Sequence, residues 1–326
     1  MTRTDDISVF LMGTEMAGAE IAPLAQDASF RRYFRVQKGA KAAVLMDAPQ
    51  PANPPQTAFV DIARWLTQAG FSAPEIIAAD IESGLLLCED LGDAVFSDEF
   101  DAGRLREDTA FTAVADMLRE LHQHTPMPGL PVYTPQNMAD MIAPLFDHYM
   151  PQDQRKSEAE EQIKQALESI LAQTWLGDPV IILRDFHAGN LIWLPEREGH
   201  KSVGLLDFQD AAVGHAAYDL VSMLFDIRRE INPDLTERII RDFAMACDLP
   251  QDSFRAACAA QSVQRNLRIL GIFARLATDL GKTGYLKWQP AVWARLKADL
   301  EHPVMAPLKD LIRGYVLAPS KDGLPA

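Results

Sequence analysis

Short runs of apolar residues in the first third of the chain predict a small β-sheet that carries one helix. Two of these runs, FRRYFRV from Phe30 and AAVLMDA from Ala42, indicate neighbouring strands joined by a glycine-containing turn. From Gln56 to Gln68 the apolar residues recur at helical spacing instead. Two further short strands are expected on either side of Gly84. The pattern therefore predicts a mainly antiparallel sheet with one helix.

The rest of the chain is predicted to be mainly helical. Apolar stripes at helical spacing run from Phe111 to Leu121, along a segment that begins at Ser157, and through most of the chain after Ala217. Two apolar runs in between, PVIILRDF and SVGLLDFQD, are too short for helices, and each contains a strand-end aspartate. If the VIIL and VGLL segments are adjacent antiparallel strands, the side chains at their ends converge.

Together these elements predict an α+β fold with two parts. Residues 1–91 are expected to form a sheet-rich lobe, and residues 92–326 a larger helical lobe. A chain of 326 residues is long enough to give each lobe its own core.

Composition narrows the class of protein. No apolar run approaches the ~18 residues of a membrane-spanning helix, so no membrane partner is expected. Asp5 and Asp6 precede the first apolar stretch, which is unlike a secretory signal. The three cysteines are scattered and form no C-x-x-C pair, which argues against a disulfide framework or a zinc site. We expect a cytoplasmic protein.

Charge argues against nucleic acid as a partner. The formal net charge is −15, with 46 acidic against 31 basic residues, whereas nucleic-acid binding depends on Lys and Arg that neutralise phosphates. A local basic group, SFRRYFR, places Arg31, Arg32 and Arg35 among aromatic residues. In so acidic a chain, a small anionic ligand or salt bridges explain this group better than stacking on RNA bases.

Three polar side chains have a spacing that suits phosphoryl transfer. Asp185 ends one apolar run, Asn190 follows five positions later, and Asp207 ends the next run 17 residues further on. This reaction needs a carboxylate that orients and deprotonates the attacking hydroxyl, and oxygen ligands that hold Mg²⁺. Asp185 is the candidate base, and Asn190 and Asp207 are the candidate metal ligands. A strand-end aspartate alone is a common turn former, but three residues at this spacing are not explained by turns.

His187 is a second candidate catalytic residue, positioned to reach the transferring phosphate or the acceptor hydroxyl. An ordinary turn residue explains it equally well. Asp219 is expected to brace the loop around Asp185 by accepting backbone N–H bonds. Arg265 and Arg268 share a face of a predicted helix, where they would either bind a lactyl carboxylate or simply solvate the helix.

The stretch LRDFHAGNLIW, followed by GLLDFQDAAVGHAAYDLVSML, resembles the catalytic and metal loops of the protein-kinase-like fold. It is most similar to the aminoglycoside phosphotransferase and choline kinase branch, which carries D-x-H-x-x-N, then I-D-F, then an Asp-Leu pair. The resemblance implies a two-lobed kinase-like fold with ATP and Mg²⁺ as cofactors. It also implies a nucleotide-covering hairpin and a linker, Leu85 to Gly92, whose backbone reads an adenine edge. The candidate cofactor-binding residues are Ser29, Arg31, Arg32, Met46, Glu89 and Leu91.

Several stretches, among them DASFRRYFRV, VLMDAP and QRNLRILGIFARLA, are similar to bacterial anomeric sugar kinases that phosphorylate N-acetylmuramate and N-acetylglucosamine during cell-wall recycling. This resemblance implies a small-molecule acceptor, an amino sugar phosphorylated at its anomeric hydroxyl. Two alternatives stay open. One is a kinase for choline, an aminoglycoside or homoserine, and the other is a nucleotide-binding pseudokinase that acts as a scaffold. The oligomeric state is left open.

Departures from the kinase pattern motivate the scaffold alternative. Met46 stands where kinases usually place a lysine, and only Asp61 is available on the helix that should carry its glutamate partner. Leu183 replaces a usual histidine, and Gln209 stands where protein kinases have glycine. Arg31, Arg32 or Lys41 are candidates for the missing positive charge.

Overall fold

The structure is a computed structural model that describes residues 2–24, 31–150, 156–320 and 323–325. Five strands form an antiparallel sheet with the order β1-β2-β3-β5-β4. These strands are β1 (Glu20–Pro23), β2 (Arg32–Lys38), β3 (Lys41–Asp47), β4 (Ile76–Asp80) and β5 (Leu85–Glu89). Gly39 occupies the tight turn between β2 and β3 with φ 62°, a conformation that only glycine adopts freely. The predicted hairpin is confirmed.

Helices α1 (Arg3–Met12) and α2 (Thr57–Gln68) accompany this sheet along the chain. The apolar face predicted for α2 is buried along its whole length, from Phe59 to Leu66. Helix α1 begins with a capping box, in which the side chains of Thr2 and Asp5 each accept the other's backbone N–H.

Two small two-stranded sheets flank the segments with the strand-end aspartates. Strand β6 (Val180–Ile182) pairs with β9 (Ala212–Gly214), and β7 (Leu191–Trp193) pairs with β8 (Val203–Leu205), both antiparallel. The expectation that the VIIL and VGLL runs pair with each other is therefore wrong. The short run LIW lies closer in sequence to β8, and closing the shorter loop costs less chain entropy.

Helices make up most of the remaining chain. They are α3 (Phe96–Asp101), α4 (Glu107–Leu121), α5 (Pro135–Asp140), α6 (Lys156–Gln173), α7 (Ala217–Leu224), α8 (Pro233–Ala246), α9 (Gln251–Thr278), α10 (Gln289–Asp299) and α11 (Ala306–Tyr315). Short 3₁₀ turns cover Ala188–Asn190, Gly199–Ser202, Thr283–Trp288 and Pro303–Met305, and a π-helical turn covers Leu145–Tyr149. The sheet and the helices confirm the predicted α+β class.

The long helix α9 packs very closely against the π-helical turn. A Cβ atom added at Gly271 would lie 2.2 Å from the backbone nitrogen of Leu145 and 2.2 Å from the backbone carbon of Pro144. Only a residue without a side chain allows the two backbones to approach so closely.

The chain divides into two compact units. The first comprises Met1–Met117 and Ala188–Ala211, and the second comprises Leu118–His187 and Ala212–Ala326. The core of the second unit is built largely from α6, α9, α10 and α11. The predicted lobe boundary between residues 91 and 92 stays a prediction. Within the described ranges, no helix combines the length and the apolar character needed to cross a membrane.

Candidate active site

Asn190 and Asp207 lie at the two ends of the β7–β8 hairpin. Asn190 directly precedes β7, and Asp207 comes shortly after β8. The Leu206 backbone N–H donates to the Asn190 carbonyl oxygen at 2.9 Å, which closes the hairpin at this end. The Asn190 side-chain Nδ2 donates to Asp207 Oδ2 at 3.3 Å, and Gln209 Nε2 donates to Asp207 Oδ1 at 2.8 Å. The structure therefore brings the two predicted metal ligands together.

The backbone of Asp207 is left-handed, with φ 56°. A non-glycine residue holds this conformation only when its surroundings impose it. The next residue, Phe208, is completely buried and stacks on Phe59 of α2, with ring centroids 5.0 Å apart and an interplanar angle of 13°. This aromatic contact anchors the segment and holds the Asp207 side chain at the hairpin end.

The three candidates for the missing positive charge have different surroundings. Arg31 Nη1 lies 3.9 Å from Asp207 Oδ1, and its side chain is 13% exposed. Arg32 instead forms a salt bridge with Asp47, which is fully buried and also accepts from Arg3 Nε at 2.9 Å. Lys41 pairs with Glu15 at an exposed position. Of the three, Arg31 is the one beside a predicted metal ligand.

Salt bridges, one of the two explanations considered for the basic SFRRYFR group, are present at Arg32 and Arg35 as well as between Arg31 and Asp207. Arg32 pairs with Asp47, and Arg35 Nε donates to Asp90 at 2.6 Å while its Nη2 donates to Asp93 at 2.7 Å. Ser29, in the same stretch, lies outside the described residues.

The other candidate cofactor residues are packed or paired within the first unit. Met46 is buried on β3, opposite Tyr33 on one side and Leu86 on the other. Leu91 is buried in a small cluster with residues of the β7–β8 hairpin. Glu89 Oε1 accepts from Arg197 Nη2 at 2.6 Å. Their roles in nucleotide binding stay predictions, and the Glu89 carboxylate already has a partner within the protein.

Asp219 braces the loop that carries Asp185, as the sequence predicted. Its Oδ2 accepts from the Leu183 backbone N–H at 2.5 Å, and its Oδ1 accepts from that of Arg184 at 2.9 Å. Arg184 has a left-handed backbone, with φ 72°, so the loop is held in a conformation that needs such support. Burial raises the pKa of Asp219 to about 6, although the two backbone donors and the charge of Arg265 act in the opposite direction. Asp185, one residue beyond the bracing bonds, is exposed.

His187 lies in an environment that favours the neutral imidazole. Burial lowers its pKa to about 4, and the positive charges of Arg228 and Arg265 act in the same direction, whereas Asp226 opposes them. Arg228 Nη1 pairs with Asp226 Oδ2 at 3.1 Å. Sequence reasoning missed Asp226 and Arg228, although the charged DIRR stretch directly after the apolar α7 segment was a signal that could have found them.

The predicted site residues belong to different compact units. Asp185 and His187 are part of the second unit, whereas Asn190, Asp207 and the described cofactor candidates are part of the first. Their assignment to base, metal ligand and nucleotide contact stays a prediction.

Comparison with known proteins identifies the family. A model of the phosphotransferase enzyme family matches residues 20–256. The chain is 32% identical to an N-acetylmuramate/N-acetylglucosamine kinase of Caulobacter vibrioides, over 95% of both chains. It is 31% identical to a protein of the same name from Pseudomonas aeruginosa, over 91% of this chain and 89% of that one.

Solved structures with a similar fold are also found. A choline/ethanolamine kinase family protein from Mesorhizobium loti superposes with a TM-score of 0.67, at 14% identity, over 96% of this chain and 100% of that one. An ADP-bound aminoglycoside phosphotransferase gives a TM-score of 0.62, at 13% identity, over 94% of this chain and 99% of that one. These likenesses confirm the kinase-like α+β fold.

The family match and the kinase names of the relatives confirm the expected enzyme class, a small-molecule phosphotransferase. The family model covers well over half of the chain, and the resemblance first seen in the loops around Asp185 and Asp207 extends through both compact units. The chain belongs to the phosphotransferase enzyme family.

Proposed function

We propose that this protein is a cytoplasmic kinase that transfers the γ-phosphoryl group of ATP, with Mg²⁺, to the anomeric hydroxyl of N-acetylmuramate or N-acetylglucosamine. The observation that carries the proposal is the paired Asn190 and Asp207 on the β7–β8 hairpin, in a chain whose relatives at 30–32% identity bear the names of these two acceptors.

The donor set at the hairpin suits Mg²⁺. Asn190 and Asp207 offer one amide oxygen and one carboxylate, and Mg²⁺ is usually held by one or two carboxylates together with the substrate's phosphates. In the described part of the chain no group of three or more His, Cys, Asp or Glu side chains could hold a metal ion by itself, which fits an ion shared with a nucleotide. Bound there, Mg²⁺ would neutralise charge on the phosphates as the phosphoryl group leaves.

Arg31 is the residue we assign to the nucleotide phosphates. It precedes β2 of the predicted nucleotide-covering hairpin, and its guanidinium is 3.9 Å from Asp207. An anion bound to a metal ion at Asp207 would lie within reach of this guanidinium, which can donate two parallel hydrogen bonds to phosphate oxygens. Arg31 would then supply the positive charge that kinases usually take from the third-strand lysine. The ADP in the structurally similar aminoglycoside phosphotransferase supports a nucleotide at this kind of fold.

Asp185 is the residue we assign to the acceptor. Its carboxylate would accept the proton of the anomeric hydroxyl as that oxygen attacks phosphorus. The bonds from the backbone N–H groups of Leu183 and Arg184 to Asp219 support the loop segment directly before this residue. His187, neutral in its surroundings, would donate a hydrogen bond to the acceptor or the transferring phosphoryl group.

Replacing the proposed base tests this function directly. We expect Asp185→Asn to lower turnover on amino sugars by about 10³-fold or more, because general base catalysis and orientation are lost together. Stabilisation of the variant by ATP and Mg²⁺ should stay close to that of the wild type. The measurement is ADP release against N-acetylmuramate and N-acetylglucosamine, with thermal shifts for nucleotide binding. Asp178→Asn, at an exposed position before β6, is the matched control.

The same assay separates the alternatives. Full activity of Asp185→Asn would rule out the assignment of the base. Turnover by the wild type on choline, homoserine or an aminoglycoside but on neither amino sugar would keep the mechanism and change the acceptor. Stabilisation by ATP without phosphoryl transfer to any acceptor would favour a scaffold, the alternative that the buried Met46 on β3 supports.

A further inference from the structure

Gln209 follows the predicted metal ligand Asp207 by two positions, where protein kinases have glycine. A tight turn closes this segment, because the Ala211 backbone N–H donates to the Phe208 carbonyl oxygen at 2.9 Å. Gln209 Nε2 donates to Asp207 Oδ1 at 2.8 Å. Glycine has no side chain and cannot make this contact. Asp207 therefore has a hydrogen-bond donor that the protein-kinase pattern lacks.

Only half of the Gln209 amide is satisfied. Nε2 binds Asp207, but Oε1 is buried and has no hydrogen-bond partner among the described residues. A buried acceptor without a partner lowers the free energy of unfolding, and such groups are rare in native proteins. An apolar side chain of similar length would avoid this cost but would lose the contact with Asp207. The contact with Asp207 is therefore the feature that accounts for a glutamine at this position.

This contact fixes the orientation of the Asp207 carboxylate. Gln209 donates to Oδ1 at 2.8 Å, within the usual range for an N–H···O bond. Asn190 donates to the other oxygen, Oδ2, at the longer distance of 3.3 Å. The shorter bond holds Oδ1, so Oδ2 is the oxygen that faces the second predicted metal ligand.

Gln209 holds the carboxylate without adding charge to it. The Asp207 side chain is 36% exposed, and Arg31 Nη1 lies 3.9 Å from Oδ1, which is longer than a hydrogen bond. A cationic donor in the place of Gln209 would offset the negative charge of Asp207 and repel Mg²⁺. The neutral amide orients the carboxylate and leaves its charge available to a cation.

We propose that Gln209 is a positioning residue for the metal ion, which holds Asp207 Oδ1 so that Oδ2 is presented, together with Asn190, to Mg²⁺. The inference rests on the proposed function. All three residues belong to the first compact unit. Removing a hydrogen bond that orients a metal-binding carboxylate typically lowers metal affinity by about 10- to 100-fold.

Binding of Mn²⁺ tests this role without the phosphoryl-transfer reaction. Mn²⁺ takes the same carboxylate and carbonyl ligands as Mg²⁺, and its binding in the presence of ADP can be followed by electron paramagnetic resonance. We expect Gln209→Met to weaken Mn²⁺ binding by about 10-fold or more, because the bond to Oδ1 is lost. Gln162→Met is the matched control, since Gln162 Nε2 also donates to a carboxylate, that of Glu158 at 3.0 Å on α6. Its affinity for Mn²⁺ should equal that of the wild type.

Two further measurements distinguish positioning from a purely structural role. Without metal, the free energy of unfolding of Gln209→Met should stay close to that of the wild type, because methionine removes the bond and the unpaired oxygen together. In the kinase assay, the variant should need about 10-fold more Mg²⁺ for half-maximal rate, and excess Mg²⁺ should restore most of kcat. A lower free energy of unfolding with unchanged Mn²⁺ affinity would overturn the inference.

The same measurements separate this inference from the proposed function. Weaker Mn²⁺ binding by Gln209→Met, in a protein that phosphorylates neither amino sugar, would support the positioning role and reject the proposed reaction. Equal Mn²⁺ affinity of wild type and variant, with turnover on an amino sugar, would reject the positioning role and keep the reaction. Absence of Mn²⁺ binding by the wild type with ADP would overturn both the metal ligands and the role of Gln209.

Discussion

Two neighbouring arginines at the start of β2 show how surroundings separate residues that look alike in sequence. Arg31 lies beside Asp207, on the side of the predicted metal ligands. Arg32 is bound to the fully buried Asp47, which Arg3 also holds. A buried carboxylate that loses a charged partner is costly to keep ionised. The first arginine therefore has surroundings that suit a ligand, and the second has surroundings that suit stability.

Substitution of Arg31 should affect catalysis, whereas substitution of Arg32 should affect the free energy of unfolding. We expect Arg31→Gln to raise KM for ATP or lower kcat by about 10- to 100-fold, because a charge-assisted contact to phosphate is lost, while the free energy of unfolding changes little. Arg32→Gln should lower the free energy of unfolding by about 1 to 2 kcal/mol, an estimate reduced because Arg32 is about half exposed and Arg3 remains. The measurements are steady-state kinetics and denaturant unfolding. The same loss of catalysis in both variants would contradict the assignment of Arg31.

At this scale the sequence predicted part of the site. The spacing of Asp185, Asn190 and Asp207 could be recognised because the two aspartates each end an apolar run and Asn190 lies five positions after the first of them. The bracing by Asp219 was expected from its place after the second loop. Asp226 and Arg228 were not found, because their approach to His187 depends on how the chain turns after α7. The charged DIRR stretch marks these residues as candidates, but no local pattern in the sequence shows that they approach His187.

Among the elements, helix α9 is the one whose packing depends on a glycine. Gly271 lies in the middle of a helix, where glycine is normally unfavourable, yet a Cβ there would lie 2.2 Å from the backbone of the π-helical turn. Because the obstacle is backbone and not a flexible side chain, either α9 or the turn would have to move. The close approach therefore fixes the packing of α9 in the core of the second unit.

Alanine at two glycines gives a matched comparison. We expect Gly271→Ala to lower the free energy of unfolding by about 3 kcal/mol or more, the upper range for an overpacked core. Gly314→Ala, in α11 with no atom within 4 Å of the added Cβ, should raise it by about 0.5 kcal/mol through helix propensity. Chemical denaturation of both variants checks the pair. Equal effects at the two positions would show that the contact between α9 and the π-helical turn is not as tight as the structure indicates.

Some helices and strands were predicted correctly from the sequence, and others were missed or paired wrongly. Helices with a clear apolar stripe, such as α2 and α4, were found because burial selects one helical face. The pairing of β6 and β8 was wrong because three-residue strands carry too little pattern to show their partners. Strand β1 was missed because all four of its residues are exposed. Helix α1 was missed although Thr2 and Asp5 form a recognisable capping box.

At the scale of the whole molecule, buried histidines make the free energy of unfolding depend on pH. Burial lowers the pKa of His122 and of His215 to about 4, from an ordinary value of 6.5. Between these two pH values the histidines are protonated in the unfolded chain but not in the folded protein. The free energy of unfolding therefore falls as the pH drops from about 6.5 towards about 4. Asp219, whose pKa burial raises to about 6, acts in the opposite sense, because the folded protein binds its proton more readily. The imidazoles, His187 included, outweigh this carboxyl.

Substitution of His122 tests the contribution of one buried histidine to this pH dependence. In the described structure neither of its ring nitrogens has a hydrogen-bond partner, so His122→Leu removes a titrating group without leaving another polar group unpaired. We expect the loss of unfolding free energy between about pH 7.5 and about pH 5 to be about 2 kcal/mol smaller in this variant than in the wild type. Denaturant unfolding at both pH values provides the measurement. His124→Gln, a neighbour whose side chain is 33% exposed, is the control, and an unchanged pH dependence in His122→Leu would contradict the prediction.

The contact between Glu89 and Arg197 has a consequence for sequence variation in the family. The two residues are 108 positions apart, and the same guanidinium also donates to Ser72 Oγ at 2.8 Å. Loss of the acid would leave a half-buried arginine without its charge partner. Loss of the arginine would leave the acid without a charge partner and would remove one hydrogen bond of the Ser72 hydroxyl, which would keep its bond to the Lys201 carbonyl oxygen. Positions 89 and 197 are therefore under a joint constraint and should covary among relatives. Substitutions at residue 89 should therefore be accepted together with changes at residue 197, and variation at one position should follow variation at the other.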